Sequence, residues 1–417
     1  MLSIEGALGR ILARIPPNGS ERVELGAALD RILSEDVVAG VALPPWPASA
    51  MDGYAVRVAD VPGRLLVLET VAAGGVPSQP LTPGCAIRIM TGAPVPDGAE
   101  AVVMVEDTAQ DGEFVVIDVG AKAGHHIRPR GGEIAPGTPV LSRGRTLNPG
   151  ALGVLAALGI PSVQVAVRPR VGILSTGDEI VEPGFALGPG QIWSSNSTAL
   201  AGCIRAAGAV PVYLGNAPDR PDALAEAFGR ALQCDLVVST GGVSVGDYDH
   251  VKSVLAGLGV AMDFWRVAMK PGKPLAFGVL GQTPLYGLPG NPVSCMVNFL
   301  QFVRPVLRTM LGDPHPFLPV VEAEMAAHWK RRPGRPELVR VRLAREAGRI
   351  VATVAGGQGS AHLTGMADAH GFALLEADAV ELVGAVRVQV FDFGWMSGAT
   401  PDYGLHSFAH WEGEVGC

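Results

Sequence analysis

The sequence predicts a multidomain α/β plus β protein. We expect a central three-layer αβα domain with a mostly parallel sheet, an inserted small β domain, N-terminal helices and a C-terminal β-barrel-like domain. A chain of 417 residues is too long for one ordinary core. Its 55 glycines and 34 prolines indicate many tight turns between short strands. Apolar strand patterns alternate with helical patterns between about residues 168 and 312, which is typical of a parallel sheet covered by helices.

The remaining elements follow from the spacing of apolar residues. Helical spacing predicts helices over 3–14, 24–34 and 148–160. Short β-type runs separated by glycine, proline and aspartate occupy about 50–143 and return after residue 314. We therefore expect an N-terminal helical and linker domain over 1–48 and 144–168, an inserted β domain over 49–143, an α/β domain over 169–313, a C-terminal β domain over 314–395 and a tail over 396–417.

Composition and charge exclude several classes of protein. The net charge is −8 and no basic stripe with interleaved aromatics occurs, which argues against nucleic acid as the main partner. The longest apolar stretch, 151–167, is broken by two glycines and a proline, so no membrane span or membrane partner is expected. The N-terminus lacks the pattern of a secretory signal. Five scattered cysteines indicate free thiols in a reducing compartment. We expect a cytoplasmic protein.

Polar, glycine-rich segments follow three predicted strands of the α/β domain, at the sheet edge where such domains bind ligands. The first is STGDEI (175–180), in which Ser175 and Thr176 can donate hydrogen bonds. Its Asp178 and Glu179 are a natural seat for Mg²⁺, although a solvated turn explains the same pattern equally well.

The second segment is STGGVSVGDYD (239–249). Its glycines, Gly241 and Gly242, allow close approach of the backbone to an oxyanion. Ser244 adds a hydroxyl group, and Asp247 and Asp249 add carboxylates, of which Asp249 is also placed to cap the next helix.

The third segment, LPGNPVS (288–294), predicts the N-terminus of a long helix over 291–311. Asn291 suits the N-cap and Pro292 the first helical position, so free N–H groups would face an anion. A capped helix without a ligand remains an alternative. Only five of the 32 basic residues are lysines, and Lys270 and Lys273 lie together in KPGKP. This pair indicates a need for compact ammonium groups, with chance retention of two lysines as the alternative.

Six motifs in order resemble the molybdopterin molybdenumtransferase family. They are SAMDGYAV (49–56), RIMTGAPVPDGAEAVVM (88–104), STGDEI, GGVSVGDYD, VAMKPGKPLAFG (267–278) and GLPGNPVSC (287–295), and the resemblance extends to about residue 395. It implies that adenylylated molybdopterin is bound, that Mg²⁺ assists cleavage of its phosphoanhydride with release of AMP, and that molybdate is placed on the dithiolene. It also implies a homodimer, with the site between the α/β domain of one subunit and the β domain of the other.

The resemblance assigns roles to individual residues. Catalysis is expected from Asp52, Glu133, Asp178, Glu179 and Asp249. Mg²⁺ is expected at Asp178, Glu179 and Asp247. Substrate binding is expected from Thr91, Ser175, Thr176, Gly241, Gly242, Ser244, Asp247, Pro289 and Asn291. Molybdate, a small dianion, is expected at Lys270, Lys273, Ser294, Arg340 and Ser360.

One segment departs from the family's pattern. Where the family has Gly-Glu-Asp after the basic pair, this chain has Gly131, Gly132 and Glu133. The replacement carboxylate is one methylene longer, so its geometry differs from that of the usual aspartate.

Three alternatives stay open at this stage. An adenylyltransferase of the preceding step, itself a candidate partner, would share the GGVS loop but lack the β domain and KPGKP. A scaffold on the same fold would bind the pterin and never release AMP. Tungstate in place of molybdate would leave no trace in the sequence.

Overall fold

The computed structural model describes residues 1–16, 18–241 and 250–396. The chain divides into two compact units. The first comprises residues 1–20 together with residues from 166 onward, and the second comprises residues 21–165. The predicted fold class, α/β plus β over several domains, is confirmed. Within the described residues, no helix is long and apolar enough to cross a membrane.

The N-terminal helix α1 (Ile4–Leu12) packs in the first unit. The Ser3 hydroxyl caps it by accepting a hydrogen bond from the Gly6 N–H at 3.0 Å. Ala7 and Ile11, on one face of the helix, are buried in the core of the α/β domain. This helix is therefore part of the compact unit that carries the α/β domain.

The second unit contains a six-stranded sheet and three short strand pairs. Its strands are β1 (Ser20–Glu24), β2 (Val37–Val38), β3 (Ala48–Ser49), β4 (Gly53–Val56), β5 (Gly63–Val71), β6 (Cys85–Ile89), β7 (Ala101–Met104), β8 (Thr108–Asp111), β9 (Phe114–Ile117), β10 (Ile127–Arg128), β11 (Pro139–Leu141) and β12 (Ser162–Ala166). The sheet order is β7-β4-β6-β5-β9-β8, and the pairs are β1 with β12, β2 with β11 and β3 with β10. Alternate residues of β4 enter two separate cores, so this sheet is covered on both faces.

The predicted helix over 24–34 is wrong. A 3₁₀ turn at Leu25–Ala27 is the only helical element there. The backbone instead bonds to distant partners: the Leu25 N–H donates to Pro161 O and the Leu33 N–H to Arg145 O. Asp30 lies in the left-handed region at φ 59°, where a helix cannot continue. Helix α2 (Pro149–Ala157), by contrast, confirms the helix predicted at 148–160.

The α/β domain follows in the first unit. Its strands are β13 (Arg170–Thr176), β14 (Ile180–Val181), β15 (Ile192–Trp193), β16 (Val210–Ala217), β17 (Leu236–Thr240), β18 (Ala261–Arg266), β19 (Pro274–Leu280) and β20 (Thr283–Leu288). Its helices are α3 (Ser195–Ala206), α4 (Pro221–Ala231), α5 (His250–Gly257), α6 (Pro292–Asn298) and α7 (Arg304–Met310), and a π-helical turn at Phe299–Val303 joins α6 to α7.

The main sheet has the order β16-β13-β17-β20-β19-β18. Strands β16, β13, β17 and β20 are parallel, and β19 and β18 complete the edge in antiparallel pairing. Val171 and Ile173 enter one core while Leu174, on the other face of the same strand, enters a second core. Helices therefore cover both faces, as in a three-layer sandwich.

A closed five-stranded barrel ends the described chain. Its strands lie in the order β21-β24-β23-β25-β27, and the short β22 pairs with β26 beside it. The elements are β21 (Val320–Met325), β22 (Trp329–Lys330), β23 (Glu337–Glu346), β24 (Arg349–Val354), α8 (Thr364–Ala367), β25 (Gly371–Leu375), β26 (Glu381–Leu382) and β27 (Ala385–Val390).

Candidate functional site

Buried hydroxyl groups cluster at the carboxyl ends of β13 and β17. Ser175 Oγ lies 2.6 Å from Ser197 Oγ, which lies 2.9 Å from Ser194 Oγ. We call the five hydroxyl residues Ser175, Thr176, Ser194, Ser197 and Thr240 the hydroxyl cradle; all five are buried. Because these side chains are short and packed, they hold fixed positions for hydrogen bonds without carrying charge.

Asn196 connects the cradle to the next loop. Its amide Nδ2 donates to Thr240 Oγ1 and to Gly290 O, both at 2.8 Å. Thr240 Oγ1 also lies 3.4 Å from Pro289 O. The predicted residues Ser175, Thr176, Gly241, Pro289 and Asn291 line one cavity of about 620 Å³ with Asn196. The structure therefore brings the strand-end segments predicted from sequence together.

The side chain of Asn291 does not cap helix α6 as predicted. Asn291 occupies the N-cap position of α6, but its side chain makes no capping hydrogen bond. It instead donates to Ser360 Oγ at 3.0 Å, and the Val293 N–H donates to Ser360 O at 3.1 Å. Ser360, from the C-terminal region, is thus placed against the start of α6.

Two exposed carboxylates follow β13. Gly177 has φ 131°, and a Cβ there would lie 2.4 Å from Glu179 Oε2, so the carboxylate of Glu179 lies against the backbone. The Asp219 N–H donates to Asp178 Oδ1 at 3.3 Å. The pKa of Asp219 is raised by burial and by repulsion from Asp178 and Glu179. Negative charge is therefore concentrated at this turn.

The carboxylates of this turn suit a hard cation, since Mg²⁺ takes oxygen ligands and commonly uses one or two carboxylates with phosphate oxygens and waters. The described residues contain no cluster of three or more potential ligands. The predicted residues Gly242, Ser244, Asp247 and Asp249 lie outside the described residues.

The KPGKP segment, which we call the lysine loop (270–274), is tied to α6. Asn298 Nδ2 donates to Gly272 O at 3.1 Å and to Ser294 O at 2.9 Å. Gly272 has φ 101°, and a Cβ there would lie 2.6 Å from Asn298 Nδ2, so only glycine fits. The Lys273 carbonyl accepts from the Val267 N–H at 3.0 Å. The loop that carries both lysines is therefore held against the helix that carries Ser294.

A buried acid holds the first lysine. Lys270 Nζ lies 3.0 Å from Glu337 Oε1, with Lys270 half exposed and the Glu337 side chain only 2% exposed. Arg331 Nε lies 3.8 Å from Glu337 Oε2. The backbones are paired as well, since the Lys270 N–H donates to Pro336 O and the Leu338 N–H to Lys270 O. Lys270 is thus fixed by both its main chain and its charge.

Arg340 is fully buried on β23. Its Nη2 donates to the carbonyls of Gly357 and Gly359, directly before Ser360. Its Nε and Nη1 are buried and have no hydrogen-bond partner among the residues that the structure describes. Burial lowers the pKa of Arg340 from its ordinary value. The guanidinium therefore supports the Ser360 loop through Nη2, while its Nε and Nη1 are not used in these hydrogen bonds.

In the second unit, two predicted site residues, Asp52 and Thr91, are hydrogen-bonded to each other. The Thr91 N–H and Thr91 Oγ1 both donate to Asp52 Oδ1, at 2.6 and 2.7 Å. These two bonds, in that order, lower the pKa of Asp52. Gly53 is required beside it because a Cβ would lie 1.9 Å from Val103 O. The structure brings Asp52 and Thr91 together as two predicted site residues.

Glu133 lies further along the same unit. Its carboxylate is exposed, and its N–H donates to Leu43 O at 3.1 Å. No hydrogen bond or ion pair involves this carboxylate among the residues that the structure describes, so the segment is positioned by its backbone alone.

The chain is similar over most of its length to proteins of known class. The molybdopterin molybdenumtransferase 2 of Mycobacterium tuberculosis is 40% identical over 383 residues, which cover 89% of this chain and 94% of the relative. The chain belongs to the molybdopterin molybdenumtransferase family. The molybdopterin molybdenumtransferase of Bacillus subtilis is 34% identical over 386 residues and 90% of both chains. The transferase class predicted from the motifs, within molybdenum cofactor biosynthesis, is confirmed.

Family sequence models and solved structures agree with this placement. The MoeA N-terminal region (domain I and II) matches residues 2–159, a probable molybdopterin binding domain matches 172–309, and the MoeA C-terminal region (domain IV) matches 322–392. The crystal structure of a molybdopterin biosynthesis MoeA protein from Pyrococcus horikosii superposes with a TM-score of 0.81 at 32% identity, covering 94% of this chain and 99% of that one.

In this molybdopterin molybdenumtransferase family member, the sequence motifs do not point to three residues that contact the predicted site residues or their segments: Asn196, Asp219 and Glu337. Asn196 and Asp219 sit in polar segments without a distinctive spacing. Glu337 had a usable signal, because it is the only acid in the strongly basic stretch KRRPGRPELVR (330–340). An isolated carboxylate among arginines often marks an ion pair.

Proposed function

We propose that this protein inserts molybdate into adenylylated molybdopterin and releases AMP, with the help of Mg²⁺. One observation carries the proposal. Asn298 ties the lysine loop to α6, and Asn291 and Val293 tie Ser360 to the start of the same helix, whose first residues line the cavity of the hydroxyl cradle. Donors suited to a small oxyanion and donors suited to phosphate thus belong to one continuous region of the first unit.

The oxyanion part of the site combines positively charged side chains with neutral hydroxyl donors. Lys270 and Lys273 supply positive charge, and Ser294 and Ser360 supply hydroxyl donors for a tetrahedral dianion. Arg340 contributes by holding the Ser360 loop, and its two unpartnered nitrogens add positive potential in a buried position. Because the site is partly buried, each of these interactions is stronger than it would be in water.

The phosphate part of the site is lined by neutral residues. Ser175, Thr176, Gly241, Pro289 and Asn291 surround the cavity. In the proposal, Gly242 and Ser244 add further donors, Asp247 contacts the substrate as a carboxylate, and Thr91 contributes from the β domain of the other subunit. Fixed hydroxyl and amide donors bind phosphate oxygens without a large desolvation cost for charged side chains.

The carboxylates have a separate task. Asp178 and Glu179 would hold Mg²⁺ with Asp247, and the bound ion would neutralise charge on the phosphoanhydride. Asp52, Glu133, Asp178, Glu179 and Asp249 are the proposed catalytic carboxylates. The Thr91 bonds fix the position of the Asp52 carboxylate and lower its pKa, which favours the ionised form that a cation ligand requires.

The test is AMP release from adenylylated molybdopterin with Mg²⁺, in the presence and absence of molybdate. Molybdate-dependent AMP release with metal retained on the pterin supports the proposal. Tight pterin binding with no AMP under either condition overturns it. Glu133→Gln is then expected to slow AMP release, and an unchanged rate would remove Glu133 from the mechanism.

We further propose a cytoplasmic homodimer that takes its substrate from the upstream adenylyltransferase. A homodimer would give a single peak at twice the mass of the 43.1 kDa chain in analytical ultracentrifugation.

A further inference from the structure

The lining of the hydroxyl-cradle cavity includes two exposed apolar residues. They are Ile192 and Trp193, the two residues of β15, and they line the cavity together with polar residues such as Asn196 and Thr240. Both side chains are more than half exposed, at 55% and 53%. Exposed apolar side chains at the edge of a polar cavity are typical of ligand subsites. We call Ile192 and Trp193 the ring platform.

The ring platform is held in place by its own segment. Strand β15 pairs in parallel with β14, and the Ile192 N–H donates to Glu179 O at 2.9 Å. At the other end of β14, the Tyr213 hydroxyl donates to Glu182. The platform therefore exists before any ligand binds, which lowers the entropic cost of binding.

The indole of Trp193 has no polar group left to offer. Its Nε1–H donates to Phe185 O at 2.9 Å. Tryptophan carries only this one donor and no acceptor. What Trp193 can present to a ligand is therefore the apolar ring, which prefers to stack on another planar π-system.

We propose that Trp193 stacks on a planar nitrogen heterocycle of the substrate and sets the affinity for that ring. This inference rests on the proposed function. The inference adds a ring-binding residue to that function, because adenylylated molybdopterin carries two such rings, the pterin and the adenine, joined through phosphates. The hydroxyl cradle binds the phosphates in the same cavity, so the ring next to them reaches the platform.

The experiment measures dissociation constants by titration calorimetry for three small ligands. AMP carries adenine and phosphate, 6-hydroxymethylpterin carries the pterin alone, and ribose 5-phosphate carries no ring of this kind. The proteins are the wild type, Trp193→Ala, Trp193→Phe and the control Phe317→Ala, which removes a similarly exposed ring (51%) outside the cavity.

Trp193→Ala is expected to weaken binding of one ring-bearing ligand about fivefold or more, the usual effect of losing an aromatic stacking partner. Trp193→Phe should weaken it less, and ribose 5-phosphate should bind all variants alike. An effect on AMP assigns the platform to adenine, and an effect on the pterin assigns it to the pterin.

Equal affinities of wild type and Trp193→Ala for both ring ligands overturn the inference while leaving the proposed function intact. A wild type that binds neither AMP nor the pterin also overturns the inference, whereas the proposed function is decided by molybdate-dependent AMP release from the whole substrate. A changed monomer–dimer distribution in Trp193→Ala, with unchanged ring affinity, shows that a second copy of the chain covers the platform, and also overturns the inference.

Discussion

Lys270 in the first unit and Asp52 in the second are both predicted site residues, but their charges are held in different ways. Lys270 pairs with an oppositely charged side chain, the buried Glu337, at 3.0 Å. Asp52 is held by two neutral donors of Thr91. The first arrangement partly cancels the charge it positions, and the second leaves the charge intact.

The difference has a physical consequence for each site. An ammonium group beside a carboxylate binds an oxyanion less tightly than a free ammonium group would, because the carboxylate offsets part of its positive charge. A carboxylate held by neutral donors keeps its full negative charge and has a lowered pKa, which suits a cation ligand. We infer that the two regions are built for opposite signs of ligand.

The largest expected effect is on Lys270. Lys270→Ala removes a charge-assisted hydrogen bond, worth roughly 1.5–3 kcal/mol. The molybdate concentration for half-maximal AMP release should therefore rise about 10- to 100-fold. The control is Lys330→Ala, whose ammonium lies on the surface 3.9 Å from Glu381. An unchanged molybdate requirement in Lys270→Ala would show that the paired lysine is structural only.

Glu337→Gln tests the pairing itself. Removing one member of a fully buried ion pair costs about 3–5 kcal/mol, and we expect about 2 kcal/mol here because Lys270 is half exposed. Chemical denaturation measures this loss. AMP release should need roughly three- to tenfold more molybdate, since Lys270 keeps its charge but loses its anchor.

The matched control for Glu337→Gln is Glu381→Gln, whose partners His328 and Lys330 are exposed. Its free energy of unfolding should change by less than about 0.5 kcal/mol. Equal losses of unfolding free energy in the two variants would mean that the buried Lys270–Glu337 pair stabilises the fold no more than an exposed pair does.

Thr91→Val gives the smallest effect, on the pKa of Asp52. The variant keeps the backbone donor and loses the hydroxyl donor, so the pKa should rise part of the way toward its ordinary value of 3.8. In the wild type the lowered pKa favours the folded state above the unfolded pKa, and this contribution is lost as the pH falls through the folded value.

The measurement for Thr91→Val is a carbon NMR titration of aspartate side chains. Thr108→Val is the control, since the Thr108 hydroxyl donates to the Val105 carbonyl and not to Asp52. If both variants leave the pKa of Asp52 unchanged, the backbone N–H of Thr91 alone accounts for the lowered value.

Much of the α/β domain could be predicted because its signals are local. An apolar run such as 170–176 followed by STGDEI predicts a strand and its ligand-facing end within ten residues. Local spacing gave a wrong prediction over 24–34, where it indicated a helix. Leu25 and Leu33 have helical spacing, but their N–H groups bond to residues far along the chain, and no local pattern reports such bonds.

The sequence by itself determined the strand–helix alternation, the glycine-rich strand ends and the lysine pair, because each depends on neighbouring residues. Only the tertiary structure decided that Glu337 holds Lys270, that Asn196 links the hydroxyl cradle to Gly290, and that Asn291 bonds Ser360 in place of capping its helix. The physical reason is that each of these contacts joins separate strands or loops. Their partners meet only after the hydrophobic cores have set the register of the sheet and the closure of the barrel.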